Sequence, residues 1–263
     1  MSPINKNLLD AYIVLFYLLN YIHSSSVITI TTNTITDINQ SIIIKDNCSL
    51  SVRKIDNNSI ISLTHNNYNQ YYFKVEYPGS YEINITTDEK SLSFPGLLSE
   101  CCIFDSIVIK NSGDKINITD LSYTFSNCNV IHSIDLSQLD MSGVTTFNSI
   151  FSGCHNLVSV NFGNLLPQNL KDMGYMFYKC YNLISINLSN FDTSNVIDMS
   201  CMFCYCNNLI SINLSSFETS NVIDMNGMFY ECYNLISINL SNFDTSNVND
   251  MSYMFSDSNS LIH

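Results

Sequence analysis

The chain has 263 residues, of which 46% are apolar and only 13% charged, and its formal net charge is −13. That is enough apolar content to bury a sizeable core in one or two domains. The acidic balance excludes a protein built to grip a nucleic-acid backbone or an anionic lipid surface, both of which need clustered Lys and Arg. Asn is abundant, Trp is absent and Ala11 is the single alanine. This bias reads as the mark of an AT-rich genome.

Residues 1–26 begin with one basic residue, Lys6, followed by a short apolar run from Ala11 to Leu19 and then Ser24, Ser25 and Ser26. A weakly basic start, a short apolar stretch and small residues near a cleavage point predict a signal peptide. The run is too short to span a bilayer comfortably. The alternative is a buried apolar strand or helix. Export would place the product outside the cell.

Residues 27–96 carry no repeat. VITITTNTITDI, SIIIKD, CSLSV, SIISLTH, YYFKVEY and YEINITT are β-branched or aromatic runs, several of them alternating, separated by Asn-rich breaks and a Pro78-Gly79 turn. They predict a small all-β domain, either a cap on the C-terminal region or a separate binding module.

From residue 97 to 263 the sequence is periodic. CYNLISINLSNFDTSNV at 180–196 recurs unchanged at 232–248. Phe125, Phe151, Phe177, Phe203, Phe229 and Phe255 are each 26 residues apart, and Cys stands three residues after the first five, with Ser258 after the sixth. Leu98 and Cys101 read as an eroded earlier copy. A fixed period of this size predicts a solenoid, here of about seven rungs with the last incomplete. In the rung 183–206, Leu183, Ile186 and Leu188 suggest a short strand. Val196, Met199, Met202, Phe203 and Cys206 suggest one face of a short helix, with Asn195 and Asp198 as its capping residues. The expected fold is therefore an α/β repeat solenoid, leucine-rich-repeat-like, with short parallel strands and short helices. Strands stack at about 4.8 Å and helices at roughly 8–10 Å. That mismatch predicts a bend with the strands on a concave face.

The same register explains the cysteines. The repeat Cys faces inward as a small hydrophobe, and pairing between stacked neighbours remains open. Cys201, Cys204 and Cys206 look like a metal cluster in isolation, but Cys206 belongs to the repeat, no His is near, and four-ligand spacing is missing. The Met ladders, Met173 with Met199, Met225 and Met251, and Met176 with Met202, Met228 and Met254, read as core. Acidic ladders at Asp140, Asp192, Glu218 and Asp244, and at Asp172, Asp198, Asp224 and Asp250, raise calcium as a candidate. Helix N-termini are the simpler destination for the second ladder. Neither a metal nor a cofactor is expected.

The rung NLISINLSNFDTSNVIDMSCMF resembles the BspA-like leucine-rich repeat of surface proteins, a variant found also in mycoplasma-type lipoproteins. The pattern L-x-x-L-x-L-S-x-F-D-T-S-x-V-x-D-M-x-x-M-F-x-x-C fits 183–206, 209–232 and 235–258, with Ser258 the exception. The resemblance implies a secreted or cell-surface adhesion protein that binds a host or neighbouring cell-surface protein, matrix or glycan.

On the strands, the residues between core positions define the candidate ligand-binding face: Ser185, Asn187 and Ser189, Ser211, Asn213 and Ser215, and Ser237, Asn239 and Ser241. The face is polar, nearly uncharged and repetitive. Near-identical rungs offer no one-off constellation of catalytic groups, so the expected function is non-enzymatic binding by many weak contacts. The alternatives are a self-assembling surface coat joined through repeat edges, or an intracellular repeat scaffold if the chain is not exported; SDSNSLIH shows no distinct closing cap, which fits either a truncated reading frame or a last edge meant to pair.

Overall fold

The computed structural model describes residues 26–262, apart from 35–38, 44–47, 56–59, 62, 66–69, 75–78, 88–90, 100–103, 113–116 and 165. The signal-peptide reading of residues 1–26 lies, but for Ser26, outside the described residues, as do Cys101 and the proline of the Pro78-Gly79 turn.

The alternating runs before the repeat form strands. They are β1 (Ser26–Thr34), β2 (Asn39–Ile43), β3 (Cys48–Lys54), β4 (Ile60–Ile61), β5 (Leu63–His65), β6 (Gln70–Lys74), β7 (Gly79–Thr87) and β8 (Ser91–Ser93). Within the periodic region come β9 (Phe104–Ser112), β10 (Asn117–Asp120), β11 (Ser133–Gln138) and β12 (Ser159–Asn161). The largest sheet has the order β12-β11-β9-β1-β7-β3-β4. β9, β11 and β12 run parallel, while β1 pairs antiparallel with β9 from Val27 opposite Ser112 to Thr34 opposite Phe104. The first repeat strand therefore has its outer edge covered by the N-terminal strands, which removes an exposed pairing edge. The buried core runs without a break from Val52, Ile83 and Ile85 through the repeats to Met254.

No helix forms among the described residues, which corrects the expected strand-plus-helix rung. Residues 173–180 are instead a ribbon of tight turns. The N–H groups of Met176, Tyr178 and Cys180 donate to the carbonyls of Met173, Tyr175 and Phe177, closing three consecutive four-residue turns. Tyr175 and Lys179 take φ values of 56° and 60°, the left-handed third position of a type II turn. The other N–H groups point along the stack. Met173, Tyr175, Phe177 and Lys179 donate to the carbonyls of Asp198, Ser200, Met202 and Cys204 at 2.8–2.9 Å, and the next rung repeats the pattern onto Asp224, Asn226, Met228 and Tyr230. A turn of four residues buries its first and fourth members, so the interior receives residues at spacings of 3, 1 and 3, the spacing that also fits a helix. A helix of this length is marginal alone. Here the neighbouring copy supplies the hydrogen bonds instead, which offsets a left-handed non-glycine cost of about 1–2 kcal/mol per residue.

The opposite side of the rung is the sparser one. Regular parallel pairing there ends at β12, and later copies are joined by the Ser211–Ser237 bridge and by single bonds from Ile210, Ile236 and Ile262 N–H to the carbonyls of Ile184, Ile210 and Ile236. Both sides are thus joined to the neighbouring copy by backbone hydrogen bonds, four per rung on the ribbon and about one on the opposite side. The helix–strand mismatch that predicted a concave strand face is absent.

Three polar corners turn the rung 183–206, all built alike. Asn187, Asp192 and Asp198 each accept, through Oδ1, the backbone N–H two residues on, at 3.1, 3.0 and 2.8 Å. These are Asx turns, and they replace the helix caps expected at Asn195 and Asp198. Asp172, Asp224 and Asp250 repeat the third corner, joined by a ladder of parallel bridges. Buried Thr193 and Thr219 tie the second corner to the next copy. Thr193 Oγ1 donates to the Glu218 carbonyl and accepts the Glu218 N–H.

Inside, the phenylalanines stack from Phe125 to Phe255 with ring centroids 5.4–5.7 Å apart, each pair contributing about 0.5–1.5 kcal/mol beyond burial. The repeat cysteines are free thiols with a defined task. Cys154, Cys180, Cys206 and Cys232 donate Sγ–H to the carbonyls of Phe125, Phe151, Phe177 and Phe203 at 3.0–3.3 Å. Ser258 Oγ makes the same bond to Phe229 at 2.6 Å, which accounts for the serine at the sixth position. Cys128 donates likewise to Leu98, so Leu98 holds the place of Phe in the eroded copy. Both Met ladders are buried except Met251.

Two outcomes check this account by urea unfolding. Cys180→Ser keeps the donor and is expected to cost less than Cys180→Val, which loses a bond of about 0.5–1.5 kcal/mol and overpacks the core. Equal costs would refute the hydrogen-bond role of the cysteine ladder. Asp172 has its carboxyl pushed up, first by burial and further by Asp198, against the lowering bonds from Gly174 and Asn148. A carboxyl raised on folding stabilises below its unfolded value near 3.9 and loses that contribution as pH rises through the folded value. Asp172→Asn should therefore gain stability relative to the parent between pH 4 and pH 7, not lose it.

Candidate functional site

The nine predicted face residues lie together on the sparsely bonded side. Ser189 is half-buried and the other eight are exposed. Their asparagines are not free to recruit a ligand through Oδ1. Asn187, Asn213 and Asn239 spend that atom on the N–H of Ser189, Ser215 and Ser241. Nor is the face purely polar. Val158, Ile184, Ile210 and Ile236, each 45–49% exposed, form an apolar row beside the serines. A second row, Ile197 and Ile223, lines a shallow groove with Asn195, Asn221, Asn247 and Asn249. Alternation along the strand hid the first row, because it places residue 184 inward with Ile186 and Leu188, and the second row lies outside the strand. The signal for the first row was available in the recurrence of Val or Ile at 158, 184, 210, 236 and 262.

The turn ribbon carries a different feature, which sequence reading passed over. Tyr178, Tyr205, Tyr230 and Tyr253 come from successive copies and meet edge to face, with ring centroids 5.7, 5.3 and 6.3 Å apart. Lys179 Nζ lies 5.0 and 5.6 Å from the rings of Tyr178 and Tyr205, a cation–π arrangement that fixes the end of the row. Along the ribbon, Tyr175 and Tyr253 stand at the first left-handed position, but the two intervening copies place Cys201 and Gly227 there. Likewise Cys204 stands where Tyr178 and Tyr230 flank it. The small residues leave a gap in the aromatic row, an open cavity of about 340 Å³ lined by Tyr175, Tyr178, Tyr205, Tyr230 and Tyr253, with Cys201 and Cys204 also on its wall.

Electrostatics separate these two thiols from the buried ladder. Burial pushes Cys154, Cys180 and Cys206 up and Cys232 to about 12. Cys201 is brought down to about 7 by hydrogen bonds from the Cys204 thiol and the Tyr175 hydroxyl, against the opposing effects of burial and of Asp224 and Asp198. Cys204 is raised in turn by that hydrogen bond and by burial, and Tyr175 is raised to about 12, first by the charge on Cys201. Cys206 takes no part, since its thiol points inward onto Phe177. Among the described residues no three His, Cys, Asp or Glu side chains converge as a metal site. No helix long and apolar enough to cross a membrane occurs among the described residues.

Comparison with known proteins places this geometry. No curated protein matches the sequence. Among solved structures, the crystal structure of a T. pallidum leucine-rich-repeat protein is similar at 19% identity, covering 50% of this chain and 73% of that one, with a TM-score of 0.34. A family model described as "Mycoplasma protein of unknown function, DUF285" matches residues 106–204 and 171–263, together well over half of the chain. The matched segments coincide with the 26-residue periodicity and its ribbon of turns, and the chain belongs to the DUF285 family of Mycoplasma proteins.

Proposed function

We propose that the chain is a non-enzymatic binding protein, secreted or held at the cell surface, in which a BspA-like solenoid of stacked repeats presents rows of identical side chains to a repetitive ligand. The observation that carries this reading is the tyrosine row on the turn ribbon, which crosses four copies and opens into a cavity. Tyr offers a rigid, amphipathic contact that loses little entropy on binding. A row repeated at one spacing suits an equally periodic partner, in which many weak contacts add through effective concentration. The ligand classes that fit are a host or neighbouring cell-surface protein, a matrix or a glycan. The exposed isoleucine row and Ser185, Ser211 and Ser237 form a second face of the same kind. The N-terminal strands serve as the cap of the first repeat, a reading supported by the pairing of β1 along β9.

A self-assembling coat and an intracellular scaffold are the competing readings, and location separates them. Antibody to residues 97–263 should label intact, unpermeabilised cells, and brief external protease should remove the signal. Labelling only after permeabilisation would refute both the binding and the coat readings. For the row itself, the triple change Tyr178→Ala, Tyr205→Ala and Tyr230→Ala should weaken attachment to matrix-coated beads by roughly tenfold or more, as expected for aromatic hot spots. Ser185→Ala, Ser211→Ala and Ser237→Ala together should change it far less. The reverse ranking would move the binding surface to the serine face.

A further inference from the structure

We propose that Cys201 and Cys204 form a thiol–disulfide exchange site, which accepts a small organic disulfide in the tyrosine-lined cavity and closes to an intramolecular disulfide. Four observations meet here. First, the pair spans one tight turn, in which Cys204 N–H donates to the Cys201 carbonyl at 3.1 Å. The ends of such a turn lie within about 7 Å, and disulfides bridge Cα atoms roughly 4.4–6.8 Å apart. Second, both thiols line the cavity, but Cys201 is partly exposed and Cys204 is buried, a difference in access that separates an attacking from a resolving thiol. Third, the path to Cys201 depends on Gly227. A Cβ there would stand 3.2 Å from Cys201 Sγ, and Tyr175 and Tyr253 occupy the matching position in neighbouring copies. Fourth, the five repeat thiols are excluded by their own geometry, since each is fully buried and bonded to a backbone carbonyl.

The exchange balances without any further reagent. The Cys201 thiolate attacks one sulfur of RS–SR, forming Cys201–S–SR and expelling RS⁻, which takes up a proton from water. Cys204 gives its proton to solvent and attacks Cys201 Sγ. The Cys201–Cys204 bond forms as the second RS⁻ leaves. Two cysteine thiols are oxidised and the incoming disulfide is reduced to two RSH. The mixed disulfide also removes the charge on Cys201, which otherwise opposes ionisation of Cys204.

The test uses the full reduced chain and oxidised glutathione at pH 7 without oxygen, read by peptide mapping. The expected product lacks two hydrogens in the peptide holding Cys201 and Cys204 and carries no glutathione, with two glutathione thiols released per chain. Cys204→Ser should stop at a glutathione adduct on Cys201. Cys201→Ser should leave Cys204 unmodified. Serine already stands at both positions in sister copies, as Ser149 and Ser152, so both variants are compatible with the turn. With iodoacetamide, Cys201 should react roughly tenfold or more faster than the buried thiols. A persistent adduct on Cys201 with Cys204 still reduced, a disulfide joining other cysteines such as Cys48, Cys101 or Cys102, or alkylation of Cys201 no faster than Cys180 would each overturn the proposal.

Discussion

Everything in the periodic region depends on one constraint: each copy must pair its backbone N–H groups and carbonyls with those of its neighbours in the same register. Met173, Tyr175, Phe177 and Lys179 donate to the next copy on one side, and Ile197, Ile210 and their counterparts donate to the preceding copy on the others. Buried peptide groups left without partners are costly, so the copies cannot differ in length without breaking a ladder. The constraint selects the side chains in turn. Corner residues supply a side-chain oxygen to the N–H two residues on, mostly from Asn or Asp and at Thr146 from a hydroxyl. The left-handed positions exclude β-branched residues, and Tyr, Asn, Ser, Cys, Gly, Lys, Glu and Asp occupy them instead. The Phe carbonyl needs a donor from the next copy, which the thiol of Cys or the hydroxyl of Ser supplies.

Much of this was legible in the residues themselves. The 26-residue interval of Phe and Cys located the copies, and the inward positions of Leu183, Leu188, Met199, Met202 and Phe203 are those the periodicity assigned. The helix was misread for a definite reason. Spacings of 3, 3, 1 and 3 satisfy a 3.6-residue period and a chain of four-residue turns equally well, and the usual marker of a left-handed turn, glycine, is absent from Tyr175, Lys179, Cys201 and Tyr205. Better evidence lay in N-L-S, D-T-S and D-M-S, three Asx-turn sequences within one rung, which leave no room for a capped helix between them.

The abundance of asparagine also has a cause beyond genome bias. Asn182, Asn208 and Asn234 each donate their side-chain amide to the asparagine of the preceding copy, and Asn242 reaches three carbonyls of its neighbour. These residues act in pairs across copies, which a reading along one chain segment does not display. The tyrosine row was hidden for the same reason. Tyr205 and Tyr230 occupy different places in their respective repeats, so they align only after the ribbon has folded.

The shared hand-over of hydrogen bonds gives the chain an adjustable length. Segments can be excised or duplicated in whole multiples of the 26-residue period, for example two periods between the identical stretches at 180–196 and 232–248, without creating a new kind of joint. Unequal recombination between the corresponding coding segments would then yield longer or shorter proteins whose surface rows gain or lose members while their chemistry stays the same. Reach, and with it the number of simultaneous contacts, becomes a heritable variable that changes in steps of one rung.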